Sequence, residues 1–93
     1  MANPEVRVER AGEHDYLITV AEEERDVEFR LRVAPTAVAR LGLRPDQEAR
    51  TAAVTAAYLI ARQPVIDLPG ELDLDDVIAA YDDFPARIAA DLQ

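Results

Sequence analysis

The sequence predicts an α+β fold in which a three-stranded antiparallel β-meander packs one face against three to four C-terminal helices. Three observations predict it. Apolar and polar residues alternate through the first third of the chain, five-residue connections separate the alternating runs, and helix start and stop residues punctuate the remainder.

Val6 and Val8 flank Arg7 and precede Glu9, and Tyr16, Ile18 and Val20 share one side of the next run. In the third run Val27, Phe29, Leu31 and Val33 alternate with Glu28, Arg30 and Arg32, the period of two that marks a half-buried strand. The connections Ala11 to Asp15 and Glu22 to Asp26 are hairpin length, whereas a parallel crossover needs a dozen residues or more. The meander therefore spans about residues 5–34. Its outer face carries Arg7, Glu9, Glu28, Arg30 and Arg32, and its apolar inner face requires a cover.

The helical half, about residues 36–92, supplies that cover. Thr36 is read as the cap of a short helix, Ala37 to Leu41, ended by Gly42 in the left-handed conformation, with Leu43 clasping Val38. Pro45 and Asp46 open the main helix, which runs to about Gln63 before Pro64, with Asp46 and Glu48 at its positive end and Arg62 at its negative end. From Ala52 to Ala61 only Thr55 is not apolar, so the segment belongs in the centre of the fold or in a subunit interface. After an extended Pro64 to Gly70 connection, Asp73 is read as the cap of a two-turn helix carrying Val77, Ile78 and Tyr81. Pro85 suits the first turn of a last helix with Ile88 and Leu92 on one face.

One domain over residues 1–93 follows from length, since a second would be too small to bury its own apolar surface. The 28 Val, Leu, Ile, Phe and Tyr side chains, at about 1.5–3 kcal/mol for each one buried, only narrowly offset the ordering entropy. Homodimerisation, through the Ala-rich helix or an exposed strand edge, is a natural supplement.

The chain has no Cys, Trp, Lys or Ser, its ten cations are all Arg, and it holds 17 Ala, a composition that suggests a GC-rich bacterial genome. Without Cys there is no disulfide frame and no thiolate metal site, and Met1 to Arg10 lacks a signal-peptide pattern, so a cytoplasmic location is expected. The Ala52 to Ala61 stretch falls short of the roughly 20 residues that span a bilayer, so no membrane partner is expected. The formal charge of −9 repels phosphate and argues against nucleic acid.

Candidates for chemistry are few. His14 is read as a solvated turn residue, because no partner is placed beside it in sequence. Asp73, Asp75 and Asp76 are the metal-ligand candidates, but the spacing is not that of an EF-hand and a helix N-terminus explains the charge. No nucleophile stands beside a His or Lys, and Gly12, Gly42 and Gly70 are too far apart for a phosphate loop. The expectation is a non-enzyme without cofactors. Arg7, Arg30 and Arg32 make either a basic strip or, as the favoured reading, ion pairs with Glu9 and Glu28 across the strands.

Tyr58, Leu59, Ile60, Arg62 and Pro64, followed by Asp73, Leu74, Tyr81, Phe84 and Pro85, resemble a pattern found in short uncharacterised bacterial proteins. The resemblance covers about 30 residues of the C-terminal half. It implies a compact bacterial module and brings no activity with it.

The functional expectation is a small acidic protein-interaction module, antitoxin-like or an adaptor, that contacts a protein partner or itself through Ala53, Ala57, Tyr58, Ile60, Asp82 and Asp83. The alternative is a small-molecule or divalent-metal-binding domain using a pocket near Asp73, Asp75 and Asp76.

Overall fold

The computed structural model describes residues 5–22 and 24–92. Glu23 of the second connection and residues 1–4 of the Met1 to Arg10 stretch lie outside the described residues. The chain folds as α+β, with strands β1 (Val6–Arg10), β2 (Asp15–Ala21), β3 (Asp26–Arg32) and β4 (Glu71–Asp73) in the sheet order β1-β2-β3-β4. β1, β2 and β3 form the antiparallel meander, and β4 pairs parallel to β3.

The register places the alternation in rows. Val8, Ile18 and Phe29 lie side by side, as do Val6, Val20 and Val27. Tyr16, Ile18, Val20, Phe29, Leu31 and Val33 are all buried on the inner side, while Arg7, Glu9, Glu28, Arg30 and Arg32 remain exposed on the other. Thr19 is the exception on that outer side, buried between its cross-strand neighbours Arg7 and Glu28.

Helix α1 spans Pro35–Arg40. It starts earlier than Thr36 would allow, because Pro35 has a preset φ and no amide to satisfy, so Ala34 takes the cap position and its carbonyl accepts the first bonds. Its end is as read. Gly42 has φ +74°, its amide donates to Ala39 and that of Leu43 donates to Val38, the two bonds of a Schellman motif, with Leu43 and Val38 both buried.

The main helix begins as a 3-10 turn, Pro45–Gln47, and becomes α-helical as α2 (Glu48–Arg62). The Gln47 side chain accepts the Arg44 amide at 2.9 Å, which ties the turn. Gln63 is extended ahead of Pro64, as proline's clash with the preceding residue requires. One side of α2 is Thr51, Ala52, Thr55, Ala56 and Leu59, all buried; Thr51 and Thr55 hide their hydroxyls by donating to the carbonyls four residues back at 2.8 and 2.7 Å. α2 packs against β1, β2 and α4.

The connection expected to be extended carries a 3-10 turn, Val65–Asp67, that buries Val65 and leaves Ile66 61% exposed. It delivers β4, a strand of three residues that alternation does not predict, since Glu71-Leu72-Asp73 is too short to show a period. Asp73 ends β4 and caps α3 (Leu74–Ala80) by position, although its side chain makes no capping bond. In α4 (Phe84–Leu92), Phe84, Ile88 and Leu92 fall four apart on the buried face. No helix among the described residues is long and apolar enough to cross a membrane.

Candidate interaction surface

α2 is buried on one side only. Ala49, Ala53, Ala57 and Ala61 recur every four residues on its exposed side, flanked by half-exposed Val54 and Ile60. A surface helix ordinarily turns charged residues outward, yet between Arg50 and Arg62 this one turns none. Beside the stripe, between α2 and α4, lies a depression of about 340 Å³ lined by Val54, Ala57, Tyr58, Ala61, Arg62, Arg87 and Asp91.

Of the residues expected on an interaction surface, Ala53 and Ala57 are exposed on this stripe and Ile60 borders it. Asp82 is exposed on the turn before α4. Tyr58 and Asp83 are engaged with each other: Tyr58 is buried to 8% exposure and its hydroxyl donates to Asp83 at 2.6 Å. Arg62 donates to the other Asp83 oxygen, and its guanidinium lies 4.3 Å from the centre of the Tyr58 ring. Tyr81 and Phe84 meet the same ring edge-on at 5.5 and 5.0 Å. Tyr58, Arg62, Tyr81 and Phe84 of the C-terminal pattern thus gather around one ring, which binds the end of α2 to the turn between α3 and α4.

Desolvation raises the Tyr58 pKa above 10.0, and its hydrogen bond to Asp83 raises it further. The same bond, with the Arg62 charge beside it, holds the Asp83 carboxyl below 3.8.

The other end of α2 corrects the reading of His14. His14 is half-buried, and its Nδ1 lies 3.1 and 3.2 Å from the two Glu48 carboxylate oxygens. The Tyr16 hydroxyl donates to Glu48 at 3.0 Å. Burial, then the Glu48 bond and charge, raise the Tyr16 pKa. Sequence separation hid this cluster, because His14 and Glu48 stand 34 residues apart. The cue was the position of Glu48 in the first turn of α2, where the hairpin returns to the helix.

Arg30 and Arg32 do not pair with Glu9 and Glu28. The register sets Arg30 between Leu17 and Glu71, and Arg32 between Asp15 and Asp73. Both line a polar depression of about 410 Å³ with Asp15, Glu71, Leu72, Asp73 and Asp76. Arg7 approaches Asp26, at 3.9 Å, in place of Glu9. Asp75 faces elsewhere and accepts from Arg40 at 2.6 Å, joining the last turn of α1 to the first of α3. Asp73 and Asp76 therefore share this depression while Asp75 lies outside it, and among the described residues no group of three or more His, Cys, Asp or Glu is arranged to hold a metal ion.

No family model, curated protein or solved structure matches the chain at a significant level.

Proposed function

We propose that the chain is a small acidic, non-catalytic protein-interaction module of a bacterial cytoplasm, with the outward side of α2 as its contact surface. The observation that carries this is the uncharged stripe Ala49, Ala53, Ala57 and Ala61 with Val54 and Ile60 beside it, on a helix whose opposite side already fills the core. Small side chains let a partner's backbone come close, and Arg62, Arg87 and Asp91 provide a polar rim. An adaptor or antitoxin-like role is the form this takes, with exposed Asp82 steering a basic partner toward the end of α2, where Asp83 is held by Arg62 and Tyr58.

The test is affinity purification of the tagged chain from cells of its source, beside an Ala57→Glu variant. Glutamate is a good helix former at an exposed position, so the variant keeps its fold. A protein recovered with the native chain and lost with Ala57→Glu supports the reading. Equal recovery with both chains, or none with either, contradicts it.

A further inference from the structure

The sheet has two edges of different character. β4 is three residues long and passes directly into α3, whereas β1 offers five residues and pairs only with β2 among the described elements. An unprotected edge of this length is a template for another strand.

The direction of its free groups follows from the ladder. Glu5 accepts the Ala21 amide at 2.9 Å and Ala11 donates to Asp15 at 2.8 Å, so Glu5, Arg7, Glu9 and Ala11 turn their main-chain groups toward β2. Antiparallel pairing alternates, so Val6, Val8 and Arg10 turn theirs outward.

The side chains along this edge are self-complementary. In the run Val6-Arg7-Val8-Glu9-Arg10, an antiparallel copy centred on Val8 sets Arg7 opposite the second copy's Glu9, and Glu9 opposite its Arg7. Those are the non-hydrogen-bonded positions, where facing side chains lie closest. Val8 meets Val8, and Val6 meets the aliphatic stem of Arg10, on the inner side where Val6 and Val8 are already half-buried. About six main-chain hydrogen bonds close the seam, two for each of the pairs centred on Val8. Within Val6–Arg10, no other antiparallel register of the strand on itself places both opposite charges face to face and also aligns the outward amides.

We propose that the chain forms a two-fold homodimer by antiparallel pairing of β1 with β1 of a second copy, centred on Val8, which joins the two sheets edge to edge. The partner is a second copy of this chain, selected by the Arg7 and Glu9 exchange. The seam uses main-chain groups of β1 and the Arg7 and Glu9 side chains, none of which belongs to the outward side of the neighbouring α2, so the two proposals are tested by different substitutions. A five-residue seam is small beside a standard interface, so association is weak and depends on concentration.

Light scattering across a concentration series tests it. The native chain rises from 10.3 kDa toward about twice that mass. Arg7→Glu sets two carboxylates opposite each other and Glu9→Arg sets two guanidinia opposite each other, so each variant alone stays monomeric. Mixed in equal amounts, the two variants associate with each other, because every facing pair is again of opposite sign. The double variant Arg7→Glu/Glu9→Arg also recovers association, and it carries the test if a single variant proves unfolded in a thermal melt. A native chain that stays monomeric throughout, association that neither single substitution weakens, or a folded mixture or double variant that fails to associate overturns the proposal.

Discussion

The two ends of α2 are anchored by the same chemical device in different surroundings. At the start, Glu48 accepts from Tyr16 and lies against His14, tying the helix to the meander. At the finish, Asp83 accepts from Tyr58 and Arg62, tying it to the turn before α4. The carboxylate is sheltered in the first case, with 15% of the Glu48 side chain exposed, and open in the second, with 59% of Asp83 exposed. The aromatic partner carries the compensating difference, because Tyr58 packs against Tyr81, Phe84 and the Arg62 guanidinium. At the first anchor the polar bonds dominate, and at the second it is the ring.

That comparison ranks the expected losses. Tyr58→Ala removes a buried ring from between two others and lowers unfolding free energy by about 3–5 kcal/mol, measured by chemical denaturation. Glu48→Ala strips the acceptor from Tyr16 and His14 together and costs about 1–3 kcal/mol. Asp83→Ala falls below both, since its carboxylate is open to water. A loss for Asp83→Ala that exceeds Glu48→Ala would reverse the assignment of the two anchors.

Acid and alkaline limbs separate the anchors further. A raised Tyr58 pKa means the unfolded chain surrenders its phenolic proton first, so this stabilisation is present below pH 10.0 and is lost as pH rises past it. A lowered Asp83 pKa works in the opposite direction, with stabilisation present above 3.8 and lost as pH falls through the folded value. Tyr58→Phe should flatten both limbs in pH-dependent melts, and Arg62→Gln should alter them less, because at both groups the Tyr58–Asp83 hydrogen bond outweighs the Arg62 charge.

Local chemistry made much of this fold legible in the sequence. The period of two fixed the faces of β2 and β3, Gly42 fixed the end of α1, and Ile88 and Leu92 fell on one side of α4, where the structure adds Phe84. What escaped reading depends on pairing across distance. β4 exists because Arg30, Leu31 and Arg32 present a sheet edge to Glu71, Leu72 and Asp73, which a three-residue run does not announce. The fates of His14, Arg30 and Arg32 were hidden likewise, since their neighbours come from other elements. On α2, composition showed too many apolar residues for one buried side, but only the packing shows that Ala53 and Ala57 face outward while Tyr58 turns in.

The claim that α2 offers this outward side to a protein partner is tested most directly by a photo-crosslinking amino acid placed at Ala57, with a second chain carrying it at Ala79 on the exposed side of α3. Irradiation in cells of the source should give a defined protein adduct from position 57 and none from position 79. Adducts of equal strength from both positions, or no adduct from position 57, would contradict the assignment of the surface.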